Sequence, residues 1–190
     1  IVFAGLHESG VYKSTDGGIH WASSNSGINT DIISVRGLSI NPASYSADAL
    51  YMGTWHRQGS YKSTNNASSW SQSPLDVKVY DMDLDRSNPN ILYLANFDTN
   101  NFKGGIYKTS NATSSWSLVG LGSESIYSVL VNQNRHTQIF AGTFTDGVHG
   151  RPGTLEDRCP RQRHQRQRRV DRQDAGHPRV GLNGLVRNRV

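Results

Sequence analysis

Four rings recur at one place in this chain. His7, Trp55, Phe97 and Phe144 each stand two residues after a small residue (Gly5, Gly53, Ala95 and Gly142) that ends an apolar run. Polar or charged neighbours follow them: Glu8, His56, Arg57, Asp98 and Asp146. A ring can cover the apolar C–H face of a pyranose, and neighbouring carboxylate, imidazole and guanidinium groups can hydrogen-bond its hydroxyls. The chemistry this pattern suggests is sugar recognition. Trp55-His56-Arg57 is the strongest single candidate, because Trp and Arg are enriched where contacts carry binding energy. The competing reading is that the rings only cover the top of a core.

A second set consists of carboxylates. Asp81, Asp83 and Asp85 alternate with Met82 and Leu84, which on a strand puts the three acids on one face. Such a row could bind a cation or supply a general acid and base. The corresponding positions of the neighbouring repeats are Gly37, Ser39, Asn41 and Ser128, Leu130, Asn132, and Asp85 opens the turn DRSNPN. The row is therefore expected to serve structure. A hydrolase would draw on the loop carboxylates Asp31, Asp76, Asp98, Glu124 and Asp146. There is no glycine-rich phosphate loop, no Cys/His metal spacing and no G-x-S-x-G elbow, so no catalytic residue is assigned and no cofactor or metal is expected.

The elements that must position these groups are set by a repeated phrase. It reads YKSTDGGIHW at 12–21, YKSTNNASSW at 61–70 and YKTSNATSSW at 107–116, and its closing tryptophans are spaced by 49 and 46 residues. That period marks an array of supersecondary units that bury their faces against one another. Four strand-like segments recur in each unit: an inner run (Val35, Leu38, Ile40; Val79, Met82, Leu84; Ile126, Val129, Val131), a short apolar run ending in the small residue, a run from Gly into Tyr-Lys, and a run after the tryptophan. Four short strands per 42–49 residues make the blade of a β-propeller, with strands A (innermost) to D (outermost). The fold class is all-β: a partial β-propeller of four-stranded antiparallel blades, about three blades' worth, read as a fragment of something longer. Its boundaries are blade remnants 1–32, 33–76, 77–122 and 123–150, followed by a non-propeller tail at 151–190.

The phrase resembles the Asp-box, or BNR repeat, S-x-D-x-G-x-x-W. Ser14, Asp16, Gly18 and Trp21 fit it fully; Ser63, Asn65 and Trp70 keep most of it, with Ala67 for the Gly, and the third copy has Asn111, Thr113 and Trp116. The resemblance covers residues 1–150 and implies a propeller of the kind shared by sialidases, xyloglucanases of glycoside hydrolase family 74, sortilin-type receptors and a photosystem II assembly factor. It also implies that the box lies on the C–D turn, opposite the active face. Asp16 is tempting as a catalytic acid. A short Asp or Asn side chain accepts backbone N–H bonds in a tight turn, and Gly supplies left-handed backbone, so the motif is expected to be structural. The sialidase arginine triad does not map onto Arg36, Arg57, Arg86 and Arg135.

Charge divides the chain. Residues 1–150 hold nine Lys+Arg and eleven Asp+Glu, a net of −2, and all seventeen aromatics; residues 151–190 hold eleven Arg and four acids, a net of +7. The tail, with few large apolar residues, is not expected to build a core. Val148 continues the repeat, but His149 stands where Tyr belongs and no Trp follows. Either a basic arm binds an anionic partner, or the reading frame slipped near 149 and a GC-rich stretch is translated out of frame. A break inside a strand favours the second. The single cysteine, Cys159, allows no internal disulfide, and no run approaches the roughly 18 apolar residues of a membrane span. The expected function is a non-catalytic binding or scaffold module of a secreted or surface protein. It would recognise a glycan or protein through its B–C and D–A loops, with no nucleic acid for the body and the remaining blades of the same protein as neighbours. The alternative is a fragment of a glycoside hydrolase whose catalytic residues lie partly outside it.

Overall fold

In the computed structural model, residues 1–28, 33–41, 49–56, 59–98 and 104–144 are described in full and 148–152 by their backbone. Arg57, Asp31, Asp146 and the tail beyond Pro152 lie outside the described residues. Fourteen strands form four antiparallel sheets, with no helix among the described residues. The first sheet is β1 (Val2–Leu6), β2 (Gly10–Ser14) and β3 (Ala22–Ser23). The second is β4 (Val35–Ile40), β5 (Leu50–Thr54), β6 (Ser60–Ser63) and β7 (Ser71–Gln72). The third is β8 (Val79–Leu84), β9 (Leu92–Phe97), β10 (Gly104–Thr109) and β11 (Ser117–Gly120). The last is β12 (Ile126–Val131), β13 (Gln138–Thr143) and β14 (Val148–Pro152). Each sheet follows chain order, so the units are up-and-down meanders. They are the blades of a β-propeller: strands B to D, then A to D twice, then A to C.

The core lies between sheets. Successive residues of a strand point to opposite faces, so a middle strand with a sheet on either side is apolar throughout. β5 and β9 are buried at every position. Leu50 and Met52 join Val11, Val35 and Trp70 between the first two sheets. Tyr51 points the other way, into Val79, Met82, Leu92 and Leu94. A third layer sets Tyr93, Ala95 and Ile106 against Ile126, Val129 and Val131. Each fully buried large side chain contributes about 1.5–3 kcal/mol. At Gly5 and Gly53 the small residue near the end of strand B has a packing cause: a Cβ there would strike Val35 or Val79, the first residue of the next strand A.

β14 pairs with β13 as β2 pairs with β1: His149 sits opposite Ala141, as Tyr12 sits opposite Ala4. The strand continues to Pro152, past the boundary drawn at 150.

Candidate functional site

The repeated turns sit between strands C and D, at one end of the sheets, and the rings sit at the ends of strands B, at the other. The turns are closed by their own side chains. Asp16 Oδ1 accepts the N–H groups of Ile19 and His20 (3.1 and 3.0 Å) and the Ser14 hydroxyl (2.8 Å). Asn65 and Asn111 accept the N–H of Ser69 and Ser115, each at 2.9 Å. The backbone N–H of His20, then its ring at 2.6 Å and the Ser14 hydroxyl, lower the Asp16 pKa to about 2. These partners of Asp16 all belong to its own turn, which is what a turn-closing residue needs. Trp70 is buried and donates its Nε1–H to Ser24 of the preceding sheet at 2.8 Å. Trp116 is half-buried against the layer holding Tyr51 and Val79. Trp21 differs: it remains 42% exposed and donates to Gly18 of its own turn.

At the opposite end, three of the ring-bearing residues are fixed by their backbones. The N–H groups of Trp55, Phe97 and Phe144 donate to the carbonyls of Ser34, Lys78 and Ser125, each the residue just before its blade's strand A. Three of the four rings anticipated from the sequence come together. Phe97 lies 5.9 Å from Trp55 and 6.0 Å from Phe144, centroid to centroid. His7 stands in the turn after β1, exposed, its Nδ1 3.7 Å from Glu8 Oε1. His56 is exposed, with Nε2 3.3 Å from the Ser34 hydroxyl, which also accepts the Glu8 N–H at 3.1 Å. Asp98 is half-buried.

Two further rings complete the cluster, and sequence reasoning missed them. Tyr80 lies 5.0 Å from Trp55 and 4.6 Å from Tyr127. Tyr127 stacks on Phe97 at 5.0 Å and meets Phe144 edge-on at 5.5 Å. Both tyrosines are extra residues in β-bulges. Val79 pairs with Asn96 and Asp81 with Ala95, which leaves Tyr80 unpaired; Ile126 and Ser128 leave Tyr127 unpaired in the same way. A bulge re-aims a side chain at the end of a strand. The second sheet has the same bulge, and its extra residue is Arg36. The Arg36 guanidinium carbon lies 5.5 Å from the Trp55 ring and 5.3 Å from Tyr80, and Lys78 Nζ lies 5.1 Å from Trp55. The signal was present as a step of three, not two, from Val35 to Leu38, Val79 to Met82 and Ile126 to Val129.

The rings are not equally available. Phe97, at the centre, is buried; Trp55, Tyr80 and Tyr127 are half-buried; Phe144 is 51% exposed. Beside Phe97 opens a cleft of about 290 Å³, lined by Asp76, Lys78, Asp98, Tyr107 and Leu118 among others. Ligand pockets span roughly 300–1,000 Å³, so this one suits a single sugar ring or side chain. It brings Asp76 and Asp98 to one cleft; Glu124 does not line it.

The acid row of β8 turns inward instead. Asp81 and Asp83 accept the N–H groups of Val129 and Val131 on the next blade, at 3.1 and 2.9 Å. Burial pushes the Asp81 carboxyl above its ordinary value despite these bonds. Asp85 is buried, which alone would raise its pKa. The hydroxyl and N–H of Ser87, the N–H of Asn88 and the nearby His136 outweigh burial and hold it below the ordinary value.

No protein-family model matches the chain, and no curated protein matches it. Solved structures do. An ancestral GH74 enzyme matches with TM-score 0.66 and 22% identity over 80% of this chain and 21% of that one. The GH74 enzyme of Niastella koreensis matches with TM-score 0.63 and 23% identity, over 78% of this chain and 25% of that one. YCF48, solved bound to D1 peptide, matches with TM-score 0.59 and 15% identity, over 80% of this chain and 48% of that one. The chain thus spans a quarter or less of the two GH74 enzymes and about half of YCF48. At these identities the likeness is one of fold, the β-propeller.

Proposed function

We propose that this chain is a non-catalytic binding module of an Asp-box propeller protein, which takes a glycan or a protein on the face formed by its B–C and D–A loops. One observation carries the reading. The same bulge is built into three successive inner strands, and its extra residues, Arg36, Tyr80 and Tyr127, join Trp55, Phe97 and Phe144 in one cluster. A packed core needs no bulge at that end, whereas a recognition face gains re-aimed side chains from it. Such a module would work outside the cell or at its surface, alongside further blades of the same protein. Similar folds include one solved with a peptide bound and others that are GH74 enzymes. The test is an array of glycans and peptides probed with the full chain, Trp55→Ala and Phe144→Ala. Unchanged binding by both variants would exclude this face.

Asp76 and Asp98 support a second reading, a piece of a glycoside hydrolase, because both carboxylates line one cleft. Hydrolysis of a β-glucan that stops with Asp76→Asn or Asp98→Asn would favour it over the binding module.

A further inference from the structure

Arg36 breaks the pattern of the ligand face. At the bulged position two blades carry tyrosine and this one carries a cation. Its side chain is exposed, with the guanidinium held against Trp55 and Tyr80, 5.5 and 5.3 Å from their centroids. Among the described residues no carboxylate pairs with it. A guanidinium stacked on rings is fixed in orientation, yet its N–H donors stay free in the plane, arranged to grip a carboxylate with two parallel hydrogen bonds. Lys78 adds positive charge over the same Trp55 ring.

We infer that Arg36 is the carboxylate subsite of this face and that its ligand is a uronic-acid polysaccharide. The inference rests on the glycan branch of the reading above. The rings continue away from Arg36 as a row, Trp55 to Tyr80 to Tyr127 to Phe144, with successive centroids 5.0, 4.6 and 5.5 Å apart. Successive rings meet edge to face, at 90°, 69° and 81°, so the row offers alternating ring faces and edges to the C–H groups of a sugar chain, with the charged anchor at one end. An acidic peptide is the competing occupant. An extended peptide gains affinity by adding to a free strand edge, and at the far end of the row the open edge of β12 is already taken at Val129 and Val131 by Asp81 and Asp83.

The experiment measures binding of the full chain to polygalacturonate, alginate and hyaluronate, each beside its carboxyl-reduced, neutral counterpart, with poly-glutamate as the acidic peptide. The expected result is that at least one acidic polymer binds roughly tenfold more tightly than its reduced form, the scale of one charge-assisted bidentate contact. Arg36→Gln removes that preference while the variant still melts cooperatively, and Arg36→Lys keeps part of it. Equal affinity for acidic and reduced polymers overturns the carboxylate subsite but leaves the binding face intact. Tighter binding of poly-glutamate than of every polysaccharide overturns it in favour of an acidic peptide. Binding to none of these polymers, with Phe144→Ala also silent on the array, overturns both this inference and the function it rests on.

Discussion

Asp83 on β8 accepts the backbone N–H of Val131 on β12 at 2.9 Å. The two strands belong to successive blades and are not paired in a sheet, so a side chain supplies the acceptor that a ladder supplies elsewhere. Asp81 repeats the contact at Val129. The second oxygen of each carboxylate takes the N–H of the next residue in its own strand, Met82 or Leu84, at 2.9 Å. Both acids are thereby held as rigid brackets between two sheets. The previous junction lacks them: Gly37 packs directly against Met82, and the Ser39 hydroxyl donates to the Met82 carbonyl at 3.3 Å.

Asp83→Ala is therefore expected to destabilise the chain by about 1–3 kcal/mol, the cost of leaving a buried donor without its acceptor. Val131 is buried in the intact chain. Asp83→Asn, which keeps one acceptor oxygen, should lose less. Urea unfolding of the three proteins checks this. Equal midpoints for wild type and Asp83→Ala would mean the bracket contributes nothing.

The blades were legible in the sequence because spacing and small residues both report packing. Gly5 and Gly53 are small where the next blade's first inner residue presses in, and the repeated phrase fixes the register of strand C in the first three blades. The ring face was legible in half. Trp55, Phe97 and Phe144 stand at a constant offset from the small residue of strand B, whereas Tyr80, Tyr127 and Arg36 lie on a strand read as simple alternation. A bulge hides its extra residue from a period-2 pattern, and only the step of three betrays it. That the Asp81–Asp85 row points across a blade junction follows from tertiary geometry, which no local pattern encodes.

The turn acid gives a pH signature. Asp16 is held at about 2, below its ordinary 3.8. A lowered carboxylate pKa contributes stability that is fully present above the unfolded value and is lost as pH falls towards the folded one. Asn65 and Asn111 show that an amide closes the same turn. Asp16→Asn should fold normally, and the difference in melting temperature between wild type and variant should shrink as pH drops from 4 towards 2. Asp81, shifted upward, acts with the opposite sign but is common to both proteins and cancels. A difference constant across that range would show that Asp16 is not held ionised by its turn.

Backbone strain is stored in the third turn. Ala112 and Thr113 have φ of 54° and 78°, where the first copy has Gly17 and Gly18. A side chain in left-handed backbone costs roughly 1–2 kcal/mol, most for a β-branched residue. Replacing Thr113 by Gly and by Ala removes the same hydroxyl and branch methyl, so the pair isolates the backbone term. Thr113→Gly should be the more stable of the two by about 1 kcal/mol in chemical denaturation. The reverse order would show that this turn relaxes.

Phe97 and Phe144 touch each other yet should fail differently, because one is buried and the other half-exposed. Phe97 sits under Trp55, Tyr80, Tyr127 and Phe144, so Phe97→Ala opens a cavity and is expected to cost about 3–5 kcal/mol. Phe144→Ala gives up edge contacts of a half-exposed ring with Phe97 and Tyr127, each worth about 1 kcal/mol, and should cost less. If the face binds ligand, the order reverses for affinity: Phe144→Ala should lose tenfold or more, on the scale of a central contact residue. Phe97→Ala, measured well below its lowered melting temperature, should lose less. Thermal melts and binding isotherms on the same two variants separate the roles. If Phe144→Ala melts as far down as Phe97→Ala and binds as wild type does, the rings are a lid on the core, and recognition must be sought in the Asp76–Asp98 cleft.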